Sequence, residues 1–310
     1  MKVTIHILVS SLLIAIILSC QKQIEFDLPE VEQTIVVEGK IESGEPPIVY
    51  LTNTQGYFDS LDINTLLDIF IKDAIVKVSD GINEVTLLHT FNIAQPEKLW
   101  HYTCDSASFH GVDGRNYLLT IEYGGEIFTA NTQIPYPVPL DSIWFEAQSG
   151  LDSLGFIWTK FTDPDTLGNC YRWFSQRINT YLYNYPSPYD NIKGQKKDTI
   201  MVAPFGSATD DKLFNGLAFE FAVARGEIGN FEGPDDEGPE EGMFKIGDTV
   251  AIKATSITYS TYLFVRSMED QALSNGSPFA SPGNLPNNII GGAIGNWSGY
   301  GVYRDTVICM

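Results

Sequence analysis

From Thr34 onward, short runs of β-branched and aromatic residues alternate apolar and polar positions and are separated by turn residues. The runs are "TIVVEGKI" (34–41), "PIVYLTNT" (47–54), "AIVKVSDG" (74–81), "EVTLLHT" (84–90) and "LWHYTCD" (99–105). A period of two places alternate side chains on one buried face, so each run predicts a half-buried strand. The clearest unit is "NYLLTIEYGGEIFTANTQIP", in which two such runs flank Gly124-Gly125. Both central residues of a two-residue hairpin turn need positive φ, which glycine accepts, so this unit predicts a tight hairpin. Pro135, Pro137 and Pro139 follow. Proline removes an amide donor, so "IPYPVPL" reads as a stiff connector between domains, with a boundary near Tyr136.

Strand-like runs resume at "DSIWFEA", "LGFIWTKF", "CYRWFSQRINTYLYNY", "NGLAFEFAVA" and "GDTVAIKATSI", with "DPDTLGN" as a turn. One segment departs from the period of two. "TYSTYLFVRSMEDQALSNG" lacks proline and internal glycine, offers Thr258 or Ser260 as an N-cap and closes at Asn275-Gly276. It predicts a helix near 259–274 with Tyr262, Val265 and Ala272 toward one face. A shorter helix is expected within 62–71. The fold class is therefore mainly β: an N-terminal immunoglobulin-like β-sandwich over 34–136, then a second β-rich domain over 137–310 carrying one helix.

The first residues follow different chemistry. Lys2 precedes an apolar run from Ile5 to Leu18 that ends at Ser19-Cys20. The run is short for a membrane-spanning helix, which needs about 20 apolar residues, and it reads as an export signal. Ile17-Leu18-Ser19-Cys20 has the form of a relaxed lipobox, in which cleavage precedes a diacylglycerol-modified cysteine. Residues 1–19 are thus expected to be a lipoprotein signal peptide, Cys20 the lipidation site and 20–33 a tether holding the body at a membrane. Loss of Lys2 takes the net charge from −20 to −21. Nucleic-acid binding needs clustered Lys and Arg to displace phosphate counterions, so a polyanion of this kind argues against a nucleic-acid partner. Cys104, Cys170 and Cys309 lie far apart with no Cys-x-x-Cys spacing. They read as buried thiols, with one long-range pair left open.

Catalytic signatures are missing: no serine has the flanking glycines of a nucleophile elbow, and no phosphate-loop pattern occurs. No cofactor is expected. His101, Cys104 and His110 carry zinc-compatible donors, but positions three apart on a strand face opposite ways. The acidic loop "NFEGPDDEGPEEG" offers Asp235, Asp236 and Glu237 as weak calcium candidates, against the plainer reading of a solvated loop. Tyr181, Tyr183 and Tyr185 share one strand face that can stack on a ligand or pack on its own core. Near the C-terminus, "SPFASPGNLPNNIIGGAIGNWSGYG" crowds turn formers around apolar anchors. Its glycines match neither nucleotide pattern, so it reads as an ordered loop leading into a closing strand, "YGVYRDTVIC". Asn288, Gly291, Gly292, Gly295 and Trp297 form a candidate binding loop.

Taken in order, the lipobox, "IEFDLPE", "TIVVEGKIESGEPPIVYLTNTQGYF", the hairpin ending in "TQIP", "DPDTLGNCYRW", "GDTV" and "SPFASPGNLPNNIIGGAIG" resemble a Bacteroidota outer-membrane lipoprotein family, the domain of unknown function 4249. The resemblance spans nearly the whole mature chain; it departs at Trp297, where members often carry phenylalanine. It implies a lipid-anchored protein of the cell outer membrane, facing either periplasm or exterior. It further implies a non-enzymatic accessory or binding component of a TonB-dependent receptor in nutrient capture. It supplies no catalytic residues. Two other classes stay open: a carboxylate-dependent hydrolase acting on glycans, which needs no announcing motif, and a structural or adhesive surface lipoprotein. The ligand, whether small molecule, glycan or peptide, is not specified.

Overall fold

The expected alternation appears directly in what each strand buries. The computed structural model describes residues 33–55, 68–91, 100–151, 153–179, 181–182, 195–196, 198, 200–226, 242–274 and 285–310. In β1 (Ile35–Glu42), β6 (Asn116–Tyr123) and β7 (Glu126–Gln133), alternate residues such as Val37, Ile41, Tyr117, Leu119, Ile121, Phe128 and Ala130 are buried. Tyr123 pairs with Glu126 across the turn, and Gly124 and Gly125 have φ of 61° and 84°, so the expected hairpin forms with both central residues left-handed.

The remaining strands of this half are β2 (Ile48–Asn53), β3 (Ile75–Ser79), β4 (Glu84–Phe91) and β5 (Trp100–Thr103). Strand β4 pairs with β3 through residues 84–87 and with β5 through residues 88–91, so it passes from one layer to the other along its length. This sandwich-like half encloses a core that includes Val49, Leu51, Val76, Val78 and Leu87. The helix expected within 62–71 lies largely outside the described residues; Phe70 forms an isolated bridge to Thr52.

The second half contributes β8 (Ser142–Ala147), β9 (Leu154–Thr162), β10 (Cys170–Arg177), β11 (Tyr181–Leu182), β12 (Gln195–Lys196), β13 (Ala208–Asp210), β14 (Ala218–Val223), β15 (Phe244–Lys245) and β16 (Thr249–Ile257). Helix α1 (Tyr259–Ser274) follows, then β17 (Ile289–Ile290) and the long β18 (Ile294–Ile308). Thr258 caps α1: its Oγ1 accepts from Thr261 N at 3.3 Å. The buried stripe of α1 is Thr261, Val265 and Glu269, with Tyr262 half-buried. Ala272, expected on the inner face, is exposed, and the buried stripe ends at Glu269.

Strand β18 organises the molecule. Residues 294–300 pair in parallel with β1, and residues 300–308 pair antiparallel with β16. The result is one twelve-strand order, β13-β10-β16-β18-β1-β2-β5-β4-β3-β6-β7-β17, with a separate sheet built on β9. The boundary expected near Tyr136 lies inside one compact unit, residues 33–310, with an apolar core to either side of it. The second core gathers Leu140, Ile157, Phe161, Tyr171, Trp173, Phe244 and Ile252, while Ile289, Ala293 and Trp297 return from the C-terminus to the first. Sheet pairing continues across the boundary through β18. Cys104, Cys170 and Cys309 are free thiols, and burial pushes Cys170 and Cys309 up to about 12.

Candidate functional site

The chain from Pro204 to Val223 builds a cavity between the edge of the large sheet and the smaller one. β13 pairs with β10 at the end of the twelve-strand order, and β14 pairs with β9, whose residues 157–160 also pair with β8. Among the described residues β14 has no strand on its other side. Between β13 and β14 the chain turns sharply: Phe214 N donates to Asp211 O and Leu217 N to Phe214 O, both at 2.9 Å, with Gly216 at φ 71°.

Two buried carboxylates hold that turn. Asp211 accepts from Gly168 N at 2.8 Å and Asn169 N at 2.9 Å. Asp163, 2% exposed, accepts from the Tyr171 hydroxyl and from Gly216 N at 3.0 Å. Burial, reinforced by the hydrogen bond to Asp163, pushes the Tyr171 phenol well above its ordinary range, so it stays a donor. The "DPDTLGN" turn thus uses its first aspartate as an internal staple. On the other side, Glu269 of α1 accepts from Gly206 N at 3.2 Å, fixing the turn that carries Phe205 and Ser207.

The half-open space is about 440 Å³. Phe161 and Trp173 form its base, Phe214, Phe219 and Phe221 a wall, and Phe205, Leu213 and Leu217 an exposed rim. Phe214 and Phe219 stack with ring centroids 4.9 Å apart at 11°, and Phe219 and Phe221 lie 5.7 Å apart at 19°. Trp173 closes on Phe221 at 4.5 Å. Polar groups on the lining are few. Asp210 is paired with Lys212 at 2.6 Å, whereas Ser207, 5% exposed, has a buried Oγ with no hydrogen-bond partner. Pockets that bind small molecules combine an apolar lining of this size with a few placed polar groups.

The sequence model of the family described as Domain of unknown function (DUF4249) matches residues 21–304. The chain belongs to the DUF4249 family. No curated protein matches it.

The glycine-rich stretch of this DUF4249 chain is brought together as core and turn. Trp297, an apolar anchor of the candidate binding loop, has no exposed surface; its Nε1 donates to Tyr117 O at 3.0 Å and its ring lies in the first core. An indole can reach this depth because Gly39 of β1 leaves room, a Cβ there falling 2.6 Å from the Trp297 ring. Asn288 clasps the Trp297 backbone at both ends, accepting from its N at 2.9 Å and donating to its O at 2.8 Å. Gly291 and Gly292 turn the chain from β17 into β18 at positive φ. Gly295, at φ 135°, lies against β1 so closely that a Cβ would sit 1.8 Å from Val37 O.

Of the other expected sites, Cys20, Tyr183, Tyr185, Asp235, Asp236 and Glu237 lie outside the described residues. Tyr181 lies in β11, opposite Lys196. His101 is buried, the Cys104 thiol faces Phe109 O at 3.7 Å, and His110 Nδ1 lies 3.1 Å from Ser106 O, so this trio is spent on separate contacts. Among the described residues no three His, Cys, Asp or Glu side chains gather as a metal requires. The residues that do line the cavity include Leu217, Ala218, Phe219 and Phe221 of "NGLAFEFAVA", whose alternation marked a strand. Nothing in that alternation says that the strand stands at an edge beside open space.

Proposed function

We propose that this DUF4249 chain is a lipid-anchored protein of the outer membrane that binds a ligand without transforming it and serves as accessory to a TonB-dependent receptor. The observation that carries the reading is the aromatic cavity between β13 and β14, whose flanking turns are held by Asp163, Asp211 and Glu269. Its walls are built to hold an apolar body, and its rim is formed by exposed apolar side chains on a rigid frame, the usual setting for recognition. The leader over 1–19, followed by Cys20, supports the anchor, and the net charge of −21 left after its removal suits a body kept in solution beside a membrane.

Fractionation and capture test this together. Wild-type chain is expected in the outer-membrane fraction, and Cys20→Ser is expected to leave it. Capture of the wild-type chain from native envelopes in mild detergent is expected to recover a TonB-dependent receptor. An unchanged distribution of Cys20→Ser removes the anchor, and capture without such a receptor removes the accessory role.

A further inference from the structure

Resting on the binding role proposed above, we infer that the cavity and the free edge of β14 together take an extended oligopeptide. It adds to β14 as an antiparallel strand, sets one large apolar side chain into the cavity and carries basic residues toward its ends. The backbone of β14 gives the first observation. Asp163 N donates to Leu217 O, and the register sets Phe219 opposite Phe161 and Phe221 opposite Thr159. Bonded pairs alternate along an antiparallel ladder, so these odd-numbered residues bond to β9 while the N–H and C=O groups of Ala218, Glu220 and Ala222 point the other way. Those outward groups have no partner among the described residues. Edge strands are ordinarily blunted by proline, lysine, a bulge or shortness. β14, "AFEFAV", has six residues and a single charge, Glu220, which Lys160 already holds at 2.9 Å.

The second observation is where the cavity lies against that edge. Phe219, Phe221 and Val223 share the face of β14 that lines it, and Ala218 and Ala222, from the opposite face, line it too, so the space opens around the edge itself. A strand added there lies about 4.8 Å from β14 and projects every second side chain to the cavity face. The space of about 440 Å³ holds a side chain of the largest kind, and its rim offers Phe205 and Leu213, 68% and 93% exposed, to the rest of the guest. Charge selects the occupant. A second copy has the same edge to offer, but each copy carries a net charge of −20. Asp165, exposed and in no ion pair among the described residues, stands near the start of β14, its Oδ1 3.1 Å from the place of a Cβ on Gly216. Two such acidic surfaces repel, whereas a basic peptide is drawn in.

The test titrates the full lipidated chain, in phosphatidylcholine nanodiscs with empty discs as the blank, with the end-capped peptide Thr-Lys-Val-Thr-Phe-Thr-Val-Lys-Thr, followed by calorimetry. Antiparallel pairing with the phenylalanine in the cavity turns the amides of its two threonine neighbours toward β14. Methylating those two nitrogens is expected to weaken binding by about tenfold or more, whereas methylating the phenylalanine nitrogen leaves it within about threefold. Replacing the phenylalanine by alanine, or both lysines by glutamate, is expected to weaken it by about tenfold as well. Ala222→Pro removes an outward N–H without touching the ladder to β9, and is expected to match the effect of the methylated threonines. The methylated peptides need no variant, so the pairing is tested even where Ala222→Pro disturbs folding. Indole, followed by saturation-transfer NMR, reports on the cavity alone. If indole binds and the peptide does not, or if the methyl groups are without effect, the peptide assignment falls and the cavity remains a ligand site. If neither binds, the proposed binding role falls as well. If the chain sediments as a dimer that Ala222→Pro dissociates, the edge belongs to a second copy and the peptide is overturned as its occupant.

Discussion

Glu42 lies at the meeting of three strands with cations on three sides: Lys253 at 3.0 Å, Lys40 at 3.1 Å and Arg304 at 3.7 Å. Burial alone would raise its carboxyl, but Lys253 and Lys40 outweigh that and hold it at about 2. Burial meanwhile lowers Lys253 to about 8 even beside this partner, and its ammonium also rests 4.2 Å from the Phe174 ring. A carboxylate depressed in the folded state contributes stability above its unfolded value, near 4.5, and loses it as pH falls toward 2. Glu42→Gln is therefore expected to be the less stable form at about pH 6, by on the order of 3 kcal/mol, with the difference shrinking steadily toward about pH 2.5. Paired urea titrations across that range measure it; a gap independent of pH would remove the ion pair as its source. The participants were visible only as scattered charges in the sequence, because Glu42 and Lys253 stand 211 residues apart.

At the scale of elements, the period of two was a sufficient guide where one face of a strand meets a core and the other meets water. β6 and β7 follow it closely, and Gly124-Gly125 names its own turn. The helix was equally plain, since Thr258 and the glycine-free run after it are local signals. β18 is different, because its glycines serve contacts rather than turns. A Cβ on Gly299 would fall 2.1 Å from Gln133 O, and one on Gly301 would fall 1.9 Å from Pro135 O, so the chain leaving β7 lies directly on β18. Gly299→Ala is expected to force these backbones apart and destabilise the protein by about 1–3 kcal/mol, seen as a lowered urea midpoint. A midpoint equal to that of the parent would mean that the strands do not press on each other at Gly299.

For the molecule as a whole, β18 makes the first half depend on the last residues. Residues 33–136 alone lack Ile289, Ala293 and Trp297 from their core and the parallel partner of β1. That piece is expected to remain unfolded by amide-proton dispersion in NMR, and to fold when a peptide spanning 285–303 is added. Independent folding of the piece would show that the sandwich closes without β18. The same long return explains why the cavity could not be read in advance. Its wall comes from residues 219 and 221 and its base from 161 and 173, and only the pairing of β13 with β10 and of β14 with β9 brings them to one place.

The β character, the hairpin, the helix with its cap, the acidic balance and the family were all legible in the residues as they run. Each of these rests on signals carried within a few residues or summed over the chain. Tertiary structure alone decided that Trp297 is a core residue, that Glu42 and Lys253 meet, and that an edge strand stands beside an aromatic gap. These are consequences of which distant strands pair. A period of two tells a strand which face to bury but not which neighbour will cover it.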